Sequence, residues 1–461
     1  MSETGASSAA ADSGETATTT DSNTSIWQNR SFRRFFTGLF LTNVGDSLYG
    51  VAILWLVFDL SGSTVLTGLA SSLLLLPYLL QFVAGPVVDR LSIRSVMVAT
   101  QVTQGVVVLA LPLAAATGNL SVPLVIGVIP VLSLVGLLFS PVRAAVVPQI
   151  LPQDQLSDGN SALATVSLGL DMLFDAVGGV FVAMFGATTL FLADSVTFAL
   201  AAVLFAGVAI PSEPVAESTE DTGDETDDGE DADLRELLTA YTDDLREGVE
   251  LVRGTLFVPL VVTSAVFNLA VGVTLGILPA FAAGIDGPAV YGFLLAALGV
   301  GRLLGSISAP YLDGLPYGPL RAVTALASAC LWLGAVLVPS VPATVALFGL
   351  AWVSAGSDDV LTSTINQRVF PPDVLGRVSS IKGTASTATL PLGSLVGGFV
   401  AELLGVSTTM ALAAGGFGFV GCVLALHPRL RGLPAVREVD SSDFGVTARD
   451  DTTLSDGDRD Q

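Results

Sequence analysis

Twelve runs of mainly apolar residues recur along the chain, opening at Phe35, Thr64, Arg94, Leu120, Ser161 and Ala187, then at Leu256, Pro288, Pro319, Pro342, Val378 and Val406. A helix rises about 1.5 Å per residue, so about twenty such residues cross the hydrocarbon of a bilayer. Short polar or Gly/Pro turns separate the runs, and residues 211–233 divide them six and six. The pattern predicts an all-α membrane protein of twelve transmembrane helices, with one six-helix bundle over 31–210 and a second over 254–428. Just before the second bundle, Leu234, Leu237, Leu238, Tyr241, Leu245, Val249 and Val252 recur at helical spacing with charged residues between them. That spacing predicts an amphipathic helix over 234–253, lying on the water side of the bilayer.

Composition rules out a water-soluble fold. Only 13% of the 461 residues are charged, against about a quarter in soluble domains. The net charge of −23 is concentrated outside the apolar runs: residues 1–25 contribute −4, 211–233 contribute −11 and 428–461 contribute −3. Segments 1–30 and 211–233 are therefore expected to be solvated and disordered, and 429–461 to be an acidic cytoplasmic tail. One lysine (Lys382) against eighteen arginines, with acidic tails, resembles the composition of an extreme halophile's proteins, the alternative being simply disordered acidic tails. With the N-terminus in the cytoplasm and sides alternating, every Lys and Arg except Arg302 falls in a cytoplasmic segment or helix end. By the positive-inside rule both termini are cytoplasmic and the chain is a multi-pass protein of the plasma membrane. Cys330 and Cys422 both lie within apolar runs and read as packing residues, and His427 as a boundary residue.

The two halves repeat. Pro152-Gln-Asp154-Gln-Leu156 recurs as Pro371-Pro-Asp373-Val-Leu375, 219 positions on, and Gly85 recurs as Gly305 after 220. Duplicated halves suit a transporter that exposes a midplane site to each side in turn.

The turn after the second run reads Gly85-Pro-Val-Val-Asp89-Arg90-Leu-Ser-Ile-Arg94. It resembles the Gly-x-x-x-Asp-Arg-x-x-x-Arg signature of the major facilitator superfamily, which implies a cytoplasmic latch made by Gly85, Asp89, Arg90 and Arg94. The equivalent turn of the second half, from Gly305 to Asp313, has lost the Asp-Arg pair. Asn43-Val-Gly45-Asp46, Pro141-Val-Arg143-Ala-Ala-Val-Val-Pro148 and Gly376-Arg377-Val378 are similar to the branch containing the enterobactin and macrolide exporters, a resemblance covering about residues 30–430. In the fifth run Phe174-Asp175-Ala-Val-Gly178-Gly179 departs, by an acid in place of proline, from the Gly-Pro-x-x-Gly-Gly ending that efflux members of the superfamily tend to carry. The eleventh run keeps Pro391-Leu-Gly393 and Gly397-Gly398.

Ionisable residues within the runs are the strongest pointers to function, because each costs at least about 2.5 kcal/mol at the bilayer centre unless it faces a cavity or a partner. Asp46 lies amid Asn43, Ser47, Tyr49 and Gly50, while Asp171 and Asp175 share a helix face. These three acids are the candidates for carrying a coupling proton, with Arg302 as their counter-charge. Asp194, Asp358 and Asp359 rank below them: Asp194 reads as pairing with neighbouring helices, Asp358 and Asp359 as reaching cytoplasmic water. Trp55, Phe58, Tyr78, Phe174, Phe267, Tyr291, Trp332 and Trp352 can line a cavity, although most are expected to face lipid.

No phosphate-binding loop is present, and one histidine with two cysteines makes no common metal site. The expectation is a non-enzyme without cofactor, metal or nucleic-acid partner: a monomeric secondary transporter exporting a small, amphipathic molecule. Coupling is to protons by default, with sodium as the alternative. An importer or uniporter of the same fold is the first rival reading, and a transport-dead membrane sensor or scaffold the second.

Overall fold

The structure, a computed structural model, describes residues 25–77, 91–210, 254–370, 383 and 386–444, and within these all side chains except those of residues 140, 144, 165–172 and 175. The acidic linker 211–233, the amphipathic stretch 234–253 and the turn from Gly85 to Arg90 lie outside the described residues. Apart from an isolated antiparallel bridge between Pro316 and Ala435, the regular structure among them is helical.

The first part contains α1 (Arg30–Ser61), α2 (Thr64–Leu75), α3 (Ile93–Ala116), α4 (Val122–Leu137), α5 (Phe139–Ile150), α6 (Leu156–Phe185) and α7 (Ala187–Ala206). The second contains α8 (Phe257–Ala283), α9 (Pro288–Leu312), α10 (Tyr317–Leu337), α11 (Val341–Ala351), α12 (Val353–Val369), α13 (Thr389–Leu404), α14 (Val406–Ala413), α15 (Gly415–Leu426) and the short α16 (Pro428–Arg431). Local chemistry sets the boundaries. Asn29 Oδ1 accepts from the backbone N–H groups of Ser31 and Phe32 at 2.9 and 3.1 Å, capping α1. Gly62 ends the same helix at φ +61°, a left-handed conformation natural to glycine. Ser63 then caps α2 through Leu66 N–H.

Eight helical segments among the described residues are long and apolar enough to cross a bilayer, and Thr64–Leu75, Ala176–Phe185 and Thr389–Leu404 are shorter apolar helices. Large apolar side chains such as Met184, Val203, Leu337, Leu403 and Leu426 are exposed on their outer faces. In water such a surface would be untenable; against lipid it is matched. The chain is a multi-pass membrane protein.

Helix pairings repeat between the two parts. α1 packs on α6 and α7, as α8 packs on α13 and α15, and α3 packs on α7 as α10 packs on α15. The parts meet through α6 against α9 and, in the exchanged sense, α13 against α2.

The first stretch of the acidic tail, from 429 through Phe444, packs against the second part. Leu430, Leu433, Val436, Val439 and Phe444 are buried against Leu256, Phe257 and Leu260 of the α8 start, Tyr317 of α10 and Ile365 of α12. Backbone bonds fasten this strap: Leu256 N–H to Phe444 O and Tyr317 N–H to Pro434 O, both 3.0 Å. Burial of these five apolar side chains favours holding the segment here, which net charge alone did not reveal.

Candidate functional site

The two parts are sealed at the end of the molecule where α1 finishes and α2 begins. A Cβ on Gly179 would lie 2.6 Å from Gly292 Cα, and one on Gly398 would lie 2.5 Å from Thr64 O, so backbones touch directly at both crossings. Thr64 Oγ1 donates across the seal to Gly398 O at 2.9 Å, and the Ser71 and Ser394 hydroxyls are 3.1 Å apart. Trp55 of α1 stacks on Tyr291 of α9 with centroids 6.4 Å apart.

Toward the other end, where the chain enters α1, lie two cavities of about 540 Å³ each, a volume suited to a drug-sized molecule. Leu75 of α2 lines both.

The first cavity belongs to the second part and carries four charges: Arg302 (α9), Arg321 (α10), and Asp358 and Asp359 (α12). Asp358 is saturated. Its Oδ2 lies 2.7 Å from Arg321 Nη2, and its Oδ1 accepts from Tyr317 Oη at 3.0 Å and Thr362 Oγ1 at 3.2 Å. These side chains are only 10% (Arg321) and 22% (Asp358) exposed. Arg302 Nη2 bonds Asp359 Oδ2 at 2.6 Å, and this pair is 47% and 58% exposed along the cavity wall. Phe267 and Phe417, T-shaped at 4.9 Å, form an aromatic corner of the same space.

The second cavity is lined by Asp46, Tyr49 and Gly50 of α1, Gln104 of α3 and Ser133 of α4. Asp194 of α7 is wholly buried behind it. Its Oδ1 accepts from Thr197 Oγ1 at 3.3 Å, while Oδ2 and the Tyr49 hydroxyl have no hydrogen-bond partner among the described residues. A Cβ at position 45 would collide with Asp194 Oδ1 and come within 2.6 Å of Thr197 Oγ1, so Gly45 is what admits this carboxyl. Asp46 and Asp194 are close enough for their charges to act on each other.

Several expectations are redirected. Arg302 of α9 is paired with Asp359 of α12, the two helices packing side by side. Asp358 lines the first cavity, half-buried, and is engaged there by Arg321, Tyr317 and Thr362. Asn43 spends its amide on Leu39 O at 2.9 Å in its own helix. Asp171 and Asp175 fall on α6, but their side chains are outside the described set. Of the proposed latch, Gly85, Asp89 and Arg90 are not described; Arg94 donates to Ala206 O at the C-terminal end of α7, where carbonyls lack helical partners. Tyr291, Trp332 and Trp352 are buried rather than lipid-facing, Trp332 Nε1 donating to Met410 O at 2.9 Å. Cys330 and Cys422 are exposed, not packed within. His427 accepts from Leu430 N–H and caps α16. Arg321 and Tyr317 were not singled out from sequence; the signal was Arg321 standing four residues into an apolar helix, one turn after Tyr317.

Residues 22–448 match the family model described as transmembrane secretion effector. The multidrug efflux pump Tap of Mycolicibacterium fortuitum is 24% identical over 407 residues, covering 84% of this chain and 93% of that protein. Among solved structures, an inward-facing, occupied bacterial homologue of the human lysosomal transporter Spinster superposes with a TM-score of 0.66 at 11% identity, over 88% of this chain and 98% of that one. The D-xylose–proton symporter does so with a TM-score of 0.58 at 17% identity, over 90% and 99%.

Proposed function

The chain belongs to the transmembrane secretion effector family, transporters of the major facilitator type, and on that premise we propose that it exports a small, amphipathic molecule by alternating access, driven by an ion gradient. Family and fold are those of a transporter rather than an enzyme. The observation that carries the proposal is the asymmetry of the interior: glycine-to-backbone seals at one end, and two cavities sharing the Leu75 wall behind them. The proposed architecture is twelve helices in two bundles, both termini cytoplasmic, in the plasma membrane. In that orientation the cavities lie on the cytoplasmic side of the seal, where an exporter collects cargo. The efflux activity named for the Mycolicibacterium fortuitum relative supports the direction.

Asp46 is the proposed coupling acid, with Asp175 and Asp171 as further candidates, and Gly85, Asp89, Arg90 and Arg94 as the proposed latch. A carboxylate facing a cavity can load and release a proton as the cavity changes sides. Protons are the default coupling ion, and sodium is the alternative that a halophilic origin would favour.

Direction and coupling are tested together by fluorescent-substrate accumulation in energised inverted vesicles containing the protein. Export predicts accumulation that collapses with the gradient, and Asp46→Asn should abolish it while substrate binding survives. Accumulation only in right-side-out vesicles would mean uptake. Full gradient-driven activity in both Asp46→Asn and Asp175→Asn would remove the coupling assignment.

A further inference from the structure

The two ion pairs of the first cavity differ in a way that bears on what the cavity holds. Asp358 and Arg321 are the less exposed pair, at 22% and 10%, and the carboxylate is engaged by Arg321, Tyr317 and Thr362. Arg302 and Asp359 face the open space and share a single hydrogen bond. An exposed ion pair contributes little to stability, and placing the Arg302 charge midway along the apolar α9 is costly. Stability does not account for the Arg302–Asp359 pair.

We propose that Arg302 and Asp359 form the two-pole recognition site for a zwitterionic cargo with an apolar body, a substrate class that rests on reading this cavity as the cargo site. A guanidinium presents five donors in a planar fork and here uses one on Asp359, so a cargo carboxylate can take a further face of Arg302. Asp359 accepts from Arg302 through Oδ2, leaving Oδ1 to accept from a cargo ammonium. The cargo thus adds to the pair without breaking it. Among the described residues the four cavity charges, Arg302, Arg321, Asp358 and Asp359, sum to zero, a balance that a zwitterion leaves unchanged. A simple cation or anion would leave one uncompensated charge to be dehydrated on closure, which is strongly unfavourable. Phe267 and Phe417 lie in the same cavity and offer the apolar body an aromatic corner.

The test uses the purified full-length protein and three fluorescent probes that share one apolar group: ε-dansyl-lysine, a zwitterion; its methyl ester, a cation; and its Nα-acetyl derivative, an anion. The zwitterion is expected to bind about tenfold more tightly than either singly charged form. Arg302→Gln should erase its advantage over the ester, and Asp359→Asn its advantage over the acetyl derivative. The charge-swapped double variant, Arg302→Asp with Asp359→Arg, preserves the pair and should keep the preference, separating recognition from misfolding. Equal affinities for the three probes, or a preference that survives both single substitutions, would overturn the assignment. Charge-selective binding without transport of the zwitterion in vesicles would keep the site and defeat the export reading instead. Export of another compound with no binding of the zwitterion would do the reverse.

Discussion

Arg437 donates a 2.5 Å hydrogen bond to Asp313, and that contact fastens the segment after the last long helix to the turn between α9 and α10. The second-half turn that lost its own Asp-Arg pair thus has its remaining acid met by an arginine far along the chain. Arg368, at the end of α12, donates to Arg437 O at 2.7 Å, so three elements converge on one residue.

Removing Arg437 should loosen the strap without disturbing the helices. In Arg437→Gln, backbone amides of residues 433–444 are expected to exchange hydrogen faster, with exchange in α9 and α12 unchanged. Asp313→Asn should give the same result, and the double variant should be no worse than either single one. An additive loss would show that the two side chains act separately.

The same contact predicts a pH dependence. The hydrogen bond from Arg437 holds the Asp313 carboxyl below the usual carboxylate range. A group depressed on folding contributes stability that is complete above its unfolded value and lost as pH falls through its folded one. Strap protection, corrected for intrinsic exchange, should therefore persist to about pH 4, the ordinary carboxylate value, and fall away below it. In Asp313→Asn the profile should be flat.

Arg321→Gln leaves the Asp358 carboxylate enclosed without its cation. Breaking a buried pair on one side costs about 3–5 kcal/mol, and the lower end applies here because Asp358 keeps Tyr317 and Thr362. The midpoint of thermal unfolding should drop sharply, and Arg321→Gln with Asp358→Asn should recover most of it. If the double variant were as unstable as the single, the pair would not be the source of the loss.

Gly179→Ala and Gly398→Ala each place a methyl group into facing backbone at the seal. Overpacking of that kind costs about 1–3 kcal/mol, so both variants should melt earlier and favour the state in which the seal is open, seen as greater access of a water-soluble thiol reagent to a cysteine introduced at Ser71. Gly127→Ala has open space around it and should do neither.

Asp194→Asn should leave the melting temperature unchanged or raise it. The carboxyl is wholly enclosed with one oxygen unpartnered among the described residues, so the charged form is what costs. A clear fall in melting temperature would identify the carboxylate as a structural anchor.

Much of the architecture was legible in apolar run length, because a bilayer demands about twenty apolar residues and an internal partner for every backbone group. The runs opening at Thr64, Ala187, Pro288 and Val406 coincide with helix starts to the residue. What sequence could not supply was rotation about each helix axis. Arg302 was visible as a charge within a span, but choosing between the acids of α1 and those of α12 requires knowing which face of α9 turns where. Arg321 was hidden for a different reason: its place near a helix end satisfied the positive-inside rule, and a residue already explained by topology drew no further question. The strap was masked by its acidic surroundings, since Leu433, Val436, Val439 and Phe444 are too sparse to form an apolar run.

The bond from Leu256 to Phe444 joins the opening of the second half to the last residue of the strap. A contact between such distant positions forms late in folding, because the entropy of closing the loop must be met before the contact repays it. The second half therefore stays open at that end until the final segment has been synthesised. A ribosome stalled after Leu426 would hold every long helix among the described residues and still lack the piece that ties α8, α10 and α12 together.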